Sequence, residues 1–467
     1  MDETRSFVEE ARALLAAATA DREAISALHN EVKALRERCR NVRAAEREVH
    51  RSAYVAAAEV IRQPYAETWS IKAEDLPPFP KPFTANDAGD NACLLTHANA
   101  SLADWETFGK ALTDFGFSLH TTNVEGWGYY AFYRNGRLVV TLSYSEHDRV
   151  LRAVVEPAEG NAPVPTGEIC EGVPNSAEPC FVAIGDGLYD RVNCGMGYAY
   201  RLSDGSFVII DGGMGYPEII GPLSEKLKKL AGSDRVVVAA WFFTHIHADH
   251  VGAAFSMGER CSDWLTVKRF VYAFPSYARC MEARDPNVYD IKKIAHRCLD
   301  NFKGVEYITA RTGQIFRFPG LVLEIIFSFD DCPMPTSMFA INDSSLVFRV
   351  KTHGEVHLFL GDVCEPTGPH LVAKHGDGLK SDVVQIAHHG IGGAERDVYE
   401  RVKAELAFWP CAKSCVVGGR VEALYDSPEW RALTLVKTEP WLKDHYAQCN
   451  GTQVFALPLL ARRELEI

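Results

Sequence analysis

Residues 241–252 read WFFTHIHADHVG, which places three histidines and an aspartate within six positions directly after the apolar run VVVAAWFF. His245 and His247 stand two apart, so a chain leaving a strand can aim both imidazoles at one ion. The tight turn that follows swings Asp249 and His250 toward a neighbouring position. The cluster reads as two adjacent metals. Neutral imidazole and carboxylate suit zinc, and manganese or iron as well, so the ligand types leave the ion open.

The elements that must position this cluster are legible around it. MGYAYRL and FVIIDGG form a hairpin about Asp204-Gly205, a helix follows near PEIIGPLSEKLKKLAG, and VVVAAWFF is a buried strand whose C-terminal end carries the histidines. Loops at strand ends bring their side chains to one point while the sheet keeps them rigid, and α/β folds gather ligand groups there.

The spacing His-x-His-x-Asp-His resembles the signature of the metallo-β-lactamase superfamily, and the resemblance continues downstream. Asp211 in IIDGG matches an aspartate that this family carries on an early strand, where it supports the metal-binding loop. Asp362 in FLGDV follows the apolar strand HLFL, the place of the family's bridging carboxylate. His388 and His389 in VVQIAHHG follow a third such strand, where the last metal-binding histidine is expected. Finer features resemble one branch, the soluble domain of the competence-type (ComEC-like) DNA-uptake proteins. They are CGMGYAYRLSDGSFVIIDGG, the segment with Asn342, Ser345 and Leu346, and LKSDVVQIAHHG. The likeness covers residues 181–460 and includes no membrane channel, so an uptake role does not carry over.

The resemblance implies an α/β fold, the metallo-β-lactamase αββα sandwich, over residues 181–467. It implies that His245 and His247 hold one metal, Asp249 and His250 the second, and Asp362 both. A histidine of the HHG pair, His389 or alternatively His388, would also bind the second metal. Two divalent ions are the implied cofactor, zinc first and manganese second. Asp249 and Asp362 are the expected catalytic carboxylates, because a water shared by two cations about 4 Å apart loses its proton near neutrality and Asp249 can orient the hydroxide. Hydrolysis of a phosphodiester or related anionic ester is the first reading. Cleavage of a carboxylic ester, lactone or thioester is the alternative within enzymes, and a metal-braced scaffold recruiting partners is the alternative outside them.

The chain also departs from the family. A further histidine normally stands between the first cluster and the bridging aspartate, but this interval holds only His296, His353 and His357. His296 reads as a helix surface, His353 as a turn, and His357 as the opposite face of the strand before Asp362. Asn342 and Asp343 stand at the equivalent position, and either can offer an oxygen ligand to the first metal, which favours a harder ion. Ile391, followed by Gly392 and Gly393, stands where the branch has serine, and Asp426 where it often has histidine. Cys411 and Cys415 lack the second pair that a structural zinc clip needs.

Before this domain, residues 1–62 read as one long helix with a coiled-coil seam through Ile25, Leu28, Val32, Leu35, Cys39, Val42 and Val49. Homo-oligomerisation through that helix is an expectation. Residues 63–100, with Pro77, Pro78, Pro80 and Pro82, read as a linker, and residues 101–156 as a small α+β module with a Ser101/Asp104 helix start and a hairpin at Asn135-Gly136. A net charge of −13 over 467 residues disfavours long nucleic acids and favours a small anionic substrate held at a local site. The acidic start and the absence of a long apolar stretch lead to the expectation of a cytoplasmic protein without a membrane segment.

Overall fold

Soon after the proline cluster the chain turns into strands. The computed structural model describes residues 71–89, 92–158, 167–172, 178–185, 195–275, 301–329, 340–364, 367–390, 393–410, 440–448 and 451–466. The helix expected over residues 1–62 lies outside the described residues. Residues 71–89 and 92–100, expected as linker, instead belong to the small domain. Thr84–Gly89 (β1) and Ala92–Ala98 (β2) pair antiparallel, and Ile71, Leu76 and Phe79 are buried in the core of the small domain. The reason lies in β1, an edge strand whose sequence TANDAG has no apolar alternation to announce it.

The helix Leu102–Asp114 (α1) begins where its sequence dictates. The Ser101 amide and hydroxyl both donate to Asp104 Oδ2, at 2.8 and 2.6 Å. Four strands follow: Ser118–Glu125 (β3), Gly128–Arg134 (β4), Leu138–Ser145 (β5) and Val150–Pro157 (β6). With β1 and β2 they form a sheet in the order β1-β2-β6-β5-β4-β3. Asn135 tightens the β4–β5 hairpin by accepting the Arg137 and Leu138 amides on its side-chain oxygen (2.8 and 2.7 Å). Phe108 and Leu112 of α1 cover one face, against Leu95, Tyr133 and Leu142.

The second sheet carries Cys180–Ala183 (β7), Gly197–Arg201 (β8), Phe207–Asp211 (β9), Val236–Phe242 (β10), Leu265–Val267 (β11), Arg269–Tyr272 (β12) and Glu306–Thr309 (β13). Between its strands run helices Pro217–Ala231 (α2) and Ala248–Cys261 (α3). The third sheet orders Ile315–Phe318 (β14), Leu321–Phe327 (β15), Val347–Thr352 (β16), Glu355–Phe359 (β17), Val383–Gln385 (β18), Leu406–Trp409 (β19) and Asp444–Ala447 (β20) in sequence, and Gln453–Ala456 (β21) returns to pair with β7. Helices Ala340–Asp343 (α4), Gly368–His375 (α5) and Arg396–Val402 (α6) accompany it.

The cores define the layers. Val208, Ile210 and Phe242 meet Phe316, Leu323, Phe348 and Phe359 between the two sheets. On the outer face of the second sheet, Phe207, Ile209 and Trp241 meet Leu223 of α2 and Val251 and Ala254 of α3. On the outer face of the third, Leu358, Val384 and Ala407 meet Leu371 of α5 and Val398 and Val402 of α6. This is a helix–sheet–sheet–helix stack, the mixed α/β arrangement that the sequence resemblance implies. A register shift between Val238 and Ala240 changes the alternation within β10. Val236 and Val238 face the helices, yet Ala240 and Phe242 face the inner core. The irregularity therefore sets which way the chain is aimed as it leaves the strand toward His245.

Two features tie the body together away from the strand ends. The Glu355 carboxylate accepts the Leu459 and Leu460 amides (2.6 and 2.7 Å) and approaches His357 Nε2 (3.0 Å), and the other nitrogen of His357 meets the Tyr200 hydroxyl (2.7 Å). Burial alone would raise the Glu355 carboxyl, but the hydrogen bonds from His357 and the two amides outweigh it and hold the pKa below the usual glutamate value. A depressed folded-state pKa contributes stability that is present above the unfolded pKa and lost as pH falls through the folded one. Glu355→Gln is therefore expected to cost about 1–2 kcal/mol at pH 7, with the gap closing on acidification. Urea unfolding at neutral and acidic pH checks this, and a gap that persists in acid contradicts it.

The second feature joins the small sheet to the body. The Ser145 hydroxyl donates to the Lys374 carbonyl (2.7 Å), Arg311 Nε donates to Glu156 (2.8 Å), and Asn123 reaches the Gly313 carbonyl (3.4 Å). Among the described residues no helix is long and apolar enough to cross a membrane.

Candidate metal centre

The end of β10, the end of β17 and the end of β18 meet at one edge of the sandwich, because β9 and β10 run parallel in one sheet and β17, β18 and β19 run parallel in the other. His247 is the N-cap of α3, which places Asp249 and His250 in the helix's first turn. Asp362 lies in the turn after β17, and His388 and His389 in the turn after β18, both with positive φ (48° and 55°). Left-handed backbone at two successive non-glycine residues is costly and persists only where surrounding contacts enforce it.

The imidazoles converge on one carboxylate oxygen. Asp362 Oδ2 lies 3.1 Å from His250 Nε2, 3.3 Å from His389 Nε2 and 3.8 Å from His245 Nε2. Asp249 Oδ2 lies 3.2 Å from His389 Nε2. Two groups have the mutual closeness to hold an ion: His245, His250 and Asp362, and Asp249, His250 and His389.

What binds the far nitrogen of each ring sets this orientation. His250 Nδ1 meets Asp211 Oδ2 at 2.8 Å, His389 Nδ1 meets the Pro410 carbonyl at 2.5 Å, and His245 Nδ1 lies 3.2 Å from the Ser345 and Thr244 hydroxyls. Asp211 is itself held by the Thr244 amide (2.8 Å) and hydroxyl (2.7 Å). Each ring is thus fixed with Nε2 toward Asp362, the arrangement that metal-ligating histidines require.

The site is buried and charged. Burial opposes an imidazolium at His250, but the Asp362, Asp249 and Asp211 carboxylates outweigh it and raise the pKa to about 10. His389 is raised as well, against its burial, by Asp362 and Asp249. Burial would raise Asp249 and Asp362, yet His250 and His389 hold both well below the usual carboxylate range. His245 moves the other way, lowered by burial and by His250. Asp362 Oδ1 is buried with no hydrogen-bond partner among the described residues. Such an orphaned carboxylate oxygen is uncommon in a folded interior. Together with the His245, His250 and His389 imidazoles and the Asp249 carboxylate it makes a donor set that fits divalent cations.

The structure brings together His245, His250, Asp249, Asp362, His389 and Asp211. His247 stands beside His245, its Nδ1 3.0 Å from His245 Nε2, but is in neither group. The grouping crosses the expected division, since His250 belongs to both groups and His245 pairs with it. His388 is turned aside, with Nε2 3.2 Å from the Asn342 amide nitrogen and Nδ1 3.6 Å from Cys364 Sγ. Asp343, expected as a possible oxygen ligand, instead accepts the Cys364 amide (3.0 Å) and the Thr367 hydroxyl (2.9 Å), because the turn after Asp362 has donors to satisfy. His357 is buried with Tyr200 and Glu355, as its strand position requires. His296, Ile391, Gly392, Cys411, Cys415 and Asp426 lie outside the described residues. Thr244, Cys364 and Pro410 stand in none of the motifs that the sequence offers, and Ser345 enters only as a match in the segment with Asn342 and Leu346. Thr244, directly before His245, carried a signal in its polar side chain at a buried strand end; the Pro410 carbonyl carried none.

The model of the metallo-beta-lactamase superfamily matches residues 192–262, the stretch that holds Asp211, His245, His247, Asp249 and His250. It supports the superfamily resemblance for that region. Among solved structures, a variant of the CmlA beta-hydroxylase is 13% identical over 61% of this chain and 55% of that chain, with a TM-score of 0.36. Unliganded yeast PDE1 is 9% identical over 60% of this chain and 100% of that chain (TM-score 0.34). The long form of RNase Z from yeast is 11% identical over 59% of this chain and 46% of that chain (TM-score 0.28). No curated protein matches the chain in sequence.

Proposed function

We propose that this protein is a metal-dependent hydrolase of a phosphodiester or related anionic ester, with two divalent ions held by His245, His247, Asp249, His250, Asp362 and His389. The observation that carries the reading is the convergence of three imidazole Nε2 atoms on Asp362 Oδ2 at 3.1, 3.3 and 3.8 Å. Zinc fits the imidazoles and manganese fits the carboxylates. When bound, such ions supply Lewis acidity and lower the pKa of a water molecule toward neutrality.

The chain's own residues have separate tasks. Asp362 holds the two groups of ligands together through one carboxylate. Asp249, at the start of α3, offers a second carboxylate able to orient a water or accept its proton at Oδ1 or Oδ2. Asp211, through Oδ2, keeps a proton on His250 Nδ1 and leaves Nε2 as the donor to an ion. The Pro410 carbonyl does the same for His389. A small anionic substrate held at an ion site is the reading that a net charge of −13 favours over a long nucleic acid. The motifs that resemble the competence-type branch, Asn342, Ser345 and Leu346 with LKSDVVQIAHHG, favour phosphodiester chemistry first.

The test is cleavage of a chromogenic phosphodiester by the chelator-stripped full chain after adding zinc or manganese, beside an aryl ester and a lactone. Ion-dependent release from the phosphodiester is the expected result. Release from the ester or lactone alone moves the substrate class to the carboxylic compounds, and no release with either ion leaves the scaffold reading in its place.

A further inference from the structure

The helix that carries Asp249 and His250 meets the second sheet across a seam made of glycine backbone. The Met196 amide donates to the Asp249 carbonyl (2.9 Å), the Ala253 amide to the Gly213 carbonyl (2.9 Å), and the Gly212 amide to the Met196 carbonyl (3.0 Å). The Ser256 hydroxyl donates to the Gly215 carbonyl (2.7 Å). The first turn of α3 is therefore bonded through its backbone to the segments that precede β8 and follow β9.

Bonds of this kind need backbones closer than side chains allow. A methyl group on Gly252 would stand 2.8 Å from the Gly215 nitrogen, one on Gly215 would stand 2.5 Å from the Gly252 oxygen, and one on Gly195 would stand 2.3 Å from the Asp249 oxygen. These neighbours are backbone atoms, which cannot swing aside as the end of a side chain can. Any added carbon must open the seam.

We propose that Gly195, Gly215 and Gly252 are positioning residues that set the place of Asp249 and His250 opposite Asp362 and His389; the inference rests on the ion-site reading above. The two halves of the site come from different sheets. Asp249 and His250 move with α3, while Asp362 and His389 belong to the turns of the third sheet. The distance between them is fixed by how closely α3 can lie on the 212–215 segment. Met196 grips the carbonyl of Asp249, the residue whose carboxylate reaches His389 at 3.2 Å. Gly252 comes two residues after His250, whose ring spans Asp211 at 2.8 Å and Asp362 at 3.1 Å. A ring held at both nitrogens has no slack, and ion sites tolerate displacements of only about 0.5 Å.

The experiment is a titration of the chelator-stripped full chain with cobalt(II) alone, followed by visible absorption, which reports the ligand geometry. Gly252→Ala is compared with Gly258→Ala. A methyl on Gly258 is also crowded, 2.8 Å from Asn301 Cβ, but it lies farther along α3 and meets side chains. Gly252→Ala is expected to weaken cobalt binding by about tenfold or more and to change the spectrum, while Gly258→Ala keeps the parent spectrum and affinity. A parent-like Gly252→Ala overturns the proposal, and so does a Gly258→Ala that matches Gly252→Ala in both readouts. A parent chain that binds no cobalt overturns the ion-site reading first and this inference with it, a failure seen before any variant is made. If Gly252→Ala does not fold, Ser256→Ala removes one bond of the seam without adding an atom. An affinity loss of about threefold or more with an altered spectrum then supports the proposal, and parent-like values overturn it.

Discussion

Asp362→Asn is expected to remove the ion-dependent hydrolysis proposed for this chain, lowering it by on the order of 10³-fold while the chain still folds. Asn has the volume of Asp, and the Asp362 amide, which donates to Ser345 Oγ at 3.0 Å, is untouched, so the turn after β17 keeps its shape. What disappears is the negative charge on which His245, His250 and His389 converge. One of the two ligand groups includes Asp362 directly, and the other shares His250 with it. Bound metal is therefore expected to fall by at least about one ion per chain. Asn342→Ala is the contrast. Its amide meets His388 outside both groups, so its effect on kcat/KM is expected to stay below about tenfold. Metal analysis and kinetics on the three proteins check both statements, and an Asp362→Asn chain that keeps its metal and its rate would falsify the assigned role.

The sequence was informative where chemistry forced residue types into a short stretch. HIHADH after a buried strand pointed to the strand end where His245, Asp249 and His250 gather, and the pairing of Ser101 with Asp104 announced a helix start. It was silent where position depends on distant backbone. HHG offers two equivalent histidines on paper. The turn decides between them, because the backbone path through His388 and His389 sends one ring toward Asp362 and the other toward Asn342 and Cys364. Asn342 and Asp343 illustrate the same limit. Their oxygen-bearing side chains suit an ion by type, but Asp343 is taken by the Cys364 amide and the Thr367 hydroxyl, partners that follow it by about twenty residues.

The misread linker has a related cause. Prolines mark what the backbone cannot do at their own positions, and say nothing of the strands that follow. β1 and β2 join the small sheet through pairing with β6, which lies more than fifty residues on. The polar face of that sheet was also hidden. Nothing local marks Glu125, Ser145 and Glu156; they are met by Lys351, the Lys374 carbonyl and Arg311, all distant in sequence.

That polar face carries the second large effect, since Arg311→Ala is expected to destabilise the protein by about 3–5 kcal/mol. Arg311 is 8% exposed and Glu156 is 4% exposed, and Arg311 Nε and Nη2 both donate to Glu156 Oε2. Cutting the guanidinium away leaves Glu156 as a buried carboxylate without its counterion, and that desolvation, more than the attraction lost, sets the size of the effect. Two comparisons separate this cause from others. The double replacement Arg311→Met with Glu156→Leu removes both charges and keeps apolar volume, so it is expected to lie within about 1.5 kcal/mol of the parent. Lys351→Ala breaks a pair with Glu125 in which both side chains are about one-third exposed, and it leaves the buried Glu324, 3.4 Å from Lys351, still paired with Arg349 at 2.9 Å, so it is expected to cost no more than about 1 kcal/mol. Urea unfolding followed by tryptophan fluorescence measures all three. If Arg311→Ala falls no further than Lys351→Ala, burial does not govern this contact. Because the buried pair spans the small sheet and the body, the parent should unfold in one transition; two transitions would mean that the sheet is held there by less than its polar contacts require.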